Sequence, residues 1–424
     1  MKRTFFLGLL IFLLLFVGMV TIRPAVVALS LPLILYLLVG LWRAPEQVHL
    51  QAERSLSAER VKTGDEVTVT LTVRNHGSAL EEVVLEDLIP EGLEVPEGSV
   101  RRLVALPAGG YVSWMYTLRG RRGYYGLKKV HATIGEHLGL ARLEQDLPTD
   151  GQLFIQPPVL RLRRVAIQPR RTRIFSGTIP ARQGGSGVEF FDVREYQQGD
   201  SPRWINWRAT ARHPQHVFSN QFEQERAADV GIILDGRHRT NDFGDRSIFE
   251  NSILATAAMA DTFLNAGNRV GLLFYGRQIS WTMPGYGKIQ GERILHDLSL
   301  FEPDDSHNFS ELYVPSHLFP SRSQLVLVSP LISEDYDMLA ALRMSGYHLL
   351  VVSPDPVLFE ADGMAETRTN LLAKRIVQLQ RSLLLRRLRG AGIHVFDWDT
   401  SQPFEKIARR DLDQRLVLPG GLLR

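Results

Sequence analysis

Asp229-Val-Gly-Ile-Ile-Leu-Asp-Gly-Arg-His-Arg239 joins an almost uninterrupted apolar run to a turn carrying an acid and two arginines. A strand apolar at successive positions, not every second one, is covered on both faces, as strands of a parallel sheet are. The same kind of run recurs at Arg269 to Tyr275, Leu325 to Val328, Leu349 to Val352 and Ile393 to Phe396. Helical stretches lie between or beside these runs at Ser247 to Leu264, Ile289 to Leu298, Asp335 to Met344 and Asn370 to Arg389. Residues 229–424 therefore read as an α/β domain with a mostly parallel sheet covered on both sides. In the longest helix, Leu372, Ile376, Leu379, Leu383 and Leu388 form an apolar stripe opposite Lys374, Arg375, Arg381 and Arg386, and that stripe is expected to cover the sheet.

Upstream, residues 46–158 change period. Val67, Val69, Leu71 and Val73 alternate with Thr68, Thr70, Thr72 and Arg74, the pattern of a strand with one buried face. Several further short strand-like runs, separated by Gly and Pro turns, imply an antiparallel sandwich of immunoglobulin type. Residues 159–228 form a basic linker followed by a segment dense in charge and aromatics. The basic part, Arg161 to Arg173, is suited either to solvent or to anionic lipid headgroups. It lacks the interleaved aromatics of a nucleic-acid site, so no specific nucleic-acid partner is expected.

At the N-terminus, residues 1–45 contain two apolar stretches, about 5–22 and 25–42, separated by Arg23 and Pro24. Each would rise roughly 27 Å as a helix, close to a hydrocarbon core of ~30 Å. The expectation is a transmembrane helical hairpin in the cell membrane. Lys2, Arg3, Arg43 and Arg54 outnumber Arg23 in the turn, which places the soluble domains in the cytoplasm. Composition agrees with a folded multidomain chain: 424 residues, 44% hydrophobic and 22% charged. With Cys 0, disulfides, thiolate nucleophiles and Cys-based metal sites are excluded.

The segment before the α/β domain reads Glu189-Phe-Phe-Asp-Val-Arg-Glu-Tyr-Gln-Gln-Gly-Asp-Ser-Pro-Arg-Trp-Ile-Asn-Trp-Arg-Ala-Thr-Ala-Arg212. Its Arg194, Glu195, Tyr196, Gly199, Asp200, Arg203, Trp207, Thr210, Ala211 and Arg212 resemble the hallmark series of the Domain of Unknown Function 58 family, with Asn206 where members often carry Asp. The likeness extends upstream to Arg121-Arg-Gly-Tyr-Tyr-Gly-Leu127 and Gly139-Leu140. The resemblance implies a membrane-anchored protein with a von Willebrand A-like, Rossmann-type domain and a partner among MoxR-type AAA ATPases. Two readings of the series stand side by side. Its guanidiniums, carboxylates and rings could pin the segment to the α/β domain, or Trp204 and Trp207 with Arg203, Arg208 and Arg212 could form a docking surface.

The resemblance also implies a place for a divalent cation, where such domains set Asp-x-Ser-x-Ser after the first strand with a Thr and an Asp from later loops. Here Asp235 is followed by Arg237 and Arg239 in place of the serines, and the later strand ends in Ser329 with no Asp. Cations in place of hydroxyl ligands repel a metal. No bound metal or cofactor is expected, and Asp235 is left to pair with a neighbouring arginine while the arginines could bind an acidic group. Asp304-Asp305 and Glu334-Asp335 read as solvated turn residues. His213-Pro-Gln-His216 lacks further zinc ligands, and neither a nucleophile elbow nor a complete phosphate loop occurs. The expected role is a non-enzymatic scaffold or adaptor, the competing one an outward-facing ligand-binding or adhesion module, and the third an uncharacterised enzyme.

Overall fold

The structure is a computed structural model that describes residues 2–42, 48–135, 142–162, 165, 172–213, 215–243, 246–276, 279–303, 314–321, 323–362 and 367–412. Much of the Arg161 to Arg173 stretch, and Gly139-Leu140, lie outside the described residues. The chain divides into two units, Met1–Gln156 and Pro157–Arg424.

The first unit begins with helices Lys2–Thr21, Pro24–Ala28 and Ser30–Trp42. They do not make the expected membrane-spanning hairpin: among the described residues no helix is long and apolar enough to cross a membrane. The second stretch is interrupted at Leu29. Its longer piece has 13 residues, a rise of about 20 Å against the roughly 30 Å a span requires. Apolarity alone did not reveal that break.

After these helices comes a sandwich of two antiparallel sheets. One runs in the order Leu50–Leu56, Val67–Asn75, Tyr111–Gly120, Leu93–Glu94. The other runs Arg142–Pro148, Lys129–Gly135, Leu80–Asp87, Arg101–Leu106. Val69, Leu71 and Val73 from the first meet Val83, Leu85, Ala132 and Ile134 from the second in one core. The period of two in Val67–Asn75 is what delivers these side chains to the same face.

A polar group sits inside that sandwich. The Arg54 guanidinium donates to Asp87, through Nε to Oδ2 at 3.2 Å and through Nη2 to Oδ1, and the Tyr116 hydroxyl donates to the same carboxylate. The side chains of Arg54 and Asp87 are wholly covered. Burial, reinforced by the charge of Asp87, pushes the ionisation of the Tyr116 hydroxyl far above its ordinary range. Asp87→Ala strands a buried guanidinium and should cost about 3–5 kcal/mol in a denaturant titration. The stability tied to the Tyr116 proton is full below about pH 10 and is lost as pH rises beyond it, because the folded chain holds that proton more tightly than the unfolded one. Tyr116→Phe should therefore flatten the alkaline loss of stability, read as melting temperature against pH.

The second unit is built on a mixed sheet in the order Ile279–Gly285, Arg269–Tyr275, Phe218–Asp235, Gln324–Val328, His348–Pro354, His394–Trp398. All neighbours along this path are parallel except the first pair. Ile232 and Leu234 point into a core with Phe249, Ile253 and Phe263 of the helix Phe249–Asn265. Ile233 points the other way, among Leu327, Val351, Leu384 and Leu388. Burial on both faces explains the unbroken apolar run. Gly231 and Gly271 face each other in register. A Cβ on either would meet the Phe319 ring at 2.7 and 2.9 Å respectively, so the paired glycines form the notch that seats that ring.

Residues Thr172–Glu195 form a strand antiparallel to Phe218–Asp235, with register shifts along it. The basic, glycine-rich composition of this part pointed to a linker, and backbone pairing gives it an extended form instead.

In the long helix, Arg368–Gly390, Leu388 alone of the expected stripe is buried. Leu384, Leu385 and Leu388 are buried with Arg381, whereas Leu372, Ile376, Leu379 and Leu383 lie 56%, 57%, 55% and 55% exposed. The helix has two apolar faces. The sheet took the shorter one because Arg381 on it finds polar partners at the strand ends.

Candidate functional site

The strand Phe218–Asp235 ends at the carboxyl-terminal edge of the parallel sheet, the edge where ligands of open α/β sheets bind. Gly236 follows Asp235 at a position where a Cβ would meet the Phe274 ring at 2.3 Å, and its N–H donates to the Tyr275 carbonyl at 2.7 Å. The turn therefore needs glycine to bring residue 237 back over Asp235. Arg237 donates to Asp235 through Nε (2.9 Å to Oδ1), Nη2 (2.8 Å to Oδ2) and its backbone N–H (3.1 Å). The same guanidinium donates to Asp335 through Nη1 (2.9 Å) and Nη2 (3.0 Å). Ser329 Oγ donates to Asp235 Oδ2 at 2.6 Å, and Thr240 Oγ1 to the same oxygen at 3.1 Å. Asp335 also accepts from the Ile332 N–H at 2.9 Å.

All of these side chains are buried. Two carboxylates thus converge on one cation, the guanidinium of Arg237, and two hydroxyls brace one of those carboxylates, Asp235. Burial opposes its charge, and the hydrogen bonds and charges of Asp235 and Asp335 outweigh that opposition, so Arg237 holds its proton more tightly than usual. The group keeps one surplus negative charge. Burial accordingly pushes the Asp335 carboxyl up, against the lowering effect of Arg237.

Arg239, by contrast, lies at the surface, paired with Glu334 at 2.8 Å and with both side chains more than 60% exposed. Of the two arginines, Arg237 is engaged by two buried carboxylates, which takes it out of the expected direct binding of an outside acid.

The sequence missed Asp335, Thr240 and Arg381. Asp335 stands six residues after Ser329, in a pair that reads as an ordinary turn. It is instead buried at the start of the helix Asp335–Met344. Arg381 sits on a helix face read as solvated. Its Nη1 donates to the Pro330 carbonyl at 2.7 Å, and its Nη2 donates to Ser353 Oγ at 3.0 Å and Asp397 at 2.7 Å. Arg381 thereby ties together segments that follow or end three neighbouring strands. Leu331, next to this network, holds a left-handed φ of 64° although it is not glycine, a strained backbone kept in place by its surroundings.

The family series occupies the other end of Phe218–Asp235. Arg194 pairs with Asp200 at 2.7 Å, the Tyr196 hydroxyl donates to the Asp200 carbonyl at 3.0 Å, and Gly199 supplies the turn with φ 112°. The Gln197 N–H beside Asp200, assisted by Arg194, holds that carboxyl below its usual range. Glu195 meets His216 at 3.1 Å at the surface. Asn206 caps the helix Trp207–Arg212 by accepting from the Ala209 N–H at 2.9 Å and donates to Asn220 at 2.7 Å. Thr210 Oγ1 accepts from the Phe218 N–H at 3.0 Å. Trp204 is half-buried. These residues pin the segment down. Trp207 is 72% exposed, and Arg203, Arg208 and Arg212 are exposed beside it in sequence. The series therefore splits into a structural half and a displayed half.

Removing the built-in cation should be severe. Arg237→Ser leaves two buried carboxylates facing each other and should cost about 3–5 kcal/mol in a denaturant titration. Since Asp335 already binds a proton more tightly folded than unfolded, the deficit should shrink between pH 7 and pH 5, as protonation relieves the repulsion. Millimolar Mg2+ should raise the melting temperature of Arg237→Ser and leave the parent chain unmoved, because only the variant offers an oxygen-lined gap between carboxylates.

Among curated proteins, the chain is similar to the uncharacterized protein YeaD of Bacillus subtilis, 26% identical over 373 residues that cover 86% of this chain and 88% of that one. It is also similar to the uncharacterized protein Rv1480 of Mycobacterium tuberculosis, 38% identical over 101 residues, 23% of this chain and 29% of that one. Among solved structures, a CARDB domain from Pyrococcus furiosus is 14% identical, aligned over 26% of this chain and 94% of its own, with a TM-score of 0.19. A non-cellulosomal cohesin from Archaeoglobus fulgidus is 13% identical over 25% of this chain and 90% of its own, with a TM-score of 0.17. Residues 192–356, which hold most of the signature segment and the Asp235–Arg237–Asp335 group, match the family described as protein of unknown function DUF58.

Proposed function

We propose that this protein is a non-enzymatic scaffold or adaptor whose α/β domain, of von Willebrand A-like kind, presents a protein-docking surface to an AAA ATPase of the MoxR type in complex assembly or chaperone-like work. The observation that carries the reading is Trp207, held 72% exposed on a helix pinned from below by Asn206 and Thr210. An exposed tryptophan costs solvation unless something covers it, and Trp with Arg is the composition of interface anchors. Arg203, Arg208 and Arg212 make no ion pair among the described residues, which leaves their guanidiniums available for carboxylates of a partner. The rigid turn of Arg194, Tyr196 and Asp200 holds the base of this surface fixed, which lowers the ordering cost of association.

Affinity capture with the full chain, with and without ATP, tests the proposal. The expected result is an enriched AAA ATPase whose recovery falls at least about tenfold, a loss of ~1.4 kcal/mol or more, in Trp207→Ala combined with Arg208→Ala. An ATPase absent in both nucleotide conditions, or recovered equally by the variant, overturns it.

A further inference from the structure

The helix Arg368–Gly390 does more than cover the sheet. From Thr367 to Gln380 no described residue is buried, and the first buried side chain is Arg381. The helix thus has one half held in the core by buried side chains and one half that lies at the surface, with Asn370, Lys374 and Gln378 half-buried beneath it. Leu384, Leu385 and Leu388 pack into the core and Arg381 is fastened to Pro330, Ser353 and Asp397. The preceding turns are capped by Thr367, which accepts from the Asn370 N–H at 3.2 Å, and carry exposed Leu372, Ile376 and Leu379, with Leu383 continuing the line.

These four residues are spaced four, three and four apart. At 100° per residue they fall within about 60° of one another around the helix axis. Alternating spacings of three and four are those of the seam of a two-helix coiled coil, and the exposed Leu371 and Val377 add apolar surface outside it on either side. Arg375 and Arg387 take the positions flanking that seam, Arg387 with its guanidinium 4.1 Å from the Tyr336 ring centroid, and Arg386 takes the next position on it. All three are exposed, and residues 367–390 contain no Asp or Glu. A second copy of the same helix brings no carboxylate and, in parallel register, sets Arg386 against Arg386. Charge complementarity therefore selects a partner whose seam is apolar and whose flanks are acidic. The exposed leucine-rich edge of this half gives it reason to be covered.

We infer that the outer face of Arg368–Gly390, along Leu372, Ile376, Leu379 and Leu383, is a docking seam for an acidic amphipathic helix of another protein. This surface is separate from the Trp207 face and stands whether or not an ATPase binds there.

The test uses the full chain and three probes: a synthetic peptide of four heptads with Ile and Leu on the seam and Glu on both flanks, the same peptide with Lys in place of Glu, and phosphatidylglycerol-containing vesicles. The expected result is binding of the Glu peptide alone, weakened by added salt and reduced at least tenfold in Ile376→Gln combined with Leu379→Gln. That variant should keep the parent's melting temperature, since both side chains are exposed. Trp207→Ala should bind the Glu peptide as the parent does. Equal binding of Glu and Lys peptides, unchanged binding by the Ile376/Leu379 variant, binding of vesicles without the Glu peptide, or no binding of any probe each overturns the inference.

Discussion

The guanidinium of Arg237, held between Asp235 and Asp335, is the constraint on which the second unit depends. It joins the end of the strand Phe218–Asp235 to the loop that follows Gln324–Val328, the two central neighbours of the sheet. Ser329 and Thr240 add hydroxyl donors to the same carboxylate, so the strand ends are fixed by five polar side chains with no water-facing gap between them. Buried ion pairs seldom add net stability over an apolar replacement, but they are intolerant of losing one member. Such a group specifies one arrangement of the loops.

A second arginine extends this fastening along the edge. Ser329 reaches Asp235, the next residue's carbonyl accepts from Arg381, and Arg381 continues to Ser353 and Asp397. The same device appears in the first unit, where Arg54 and Tyr116 converge on Asp87 between the sheets. In each case an arginine enters a space that the apolar pattern would leave greasy, and in each case every carboxylate it meets is long-range in sequence or delivered by a sharp turn.

That distance explains which parts could be read from residues alone. The strand Phe218–Asp235 and its neighbours announce themselves because burial on both faces requires consecutive apolar side chains, and Val67–Asn75 does so because burial on one face requires alternation. Pairing of Asp235 with a neighbouring arginine was legible because Arg237 lies two residues away. The approach of Asp335, 98 residues from Arg237, was not, since nothing local distinguishes a carboxylate at a helix start from a solvated turn. The membrane hairpin failed for a related reason: composition reports apolarity, while the division of the second stretch into Pro24–Ala28 and Ser30–Trp42 is marked by no change in it. For Arg368–Gly390 the helix was legible and its buried face, Leu388 excepted, was not, because two apolar faces compete and the position of one arginine decides between them.

Cation sites built from carboxylates and hydroxyls ordinarily exchange their ion with the medium, and their occupancy follows its supply. A guanidinium joined to the backbone two residues from its first ligand has an effective concentration no chelator can lower. The loops at this sheet edge are consequently indifferent to swings in free magnesium or calcium.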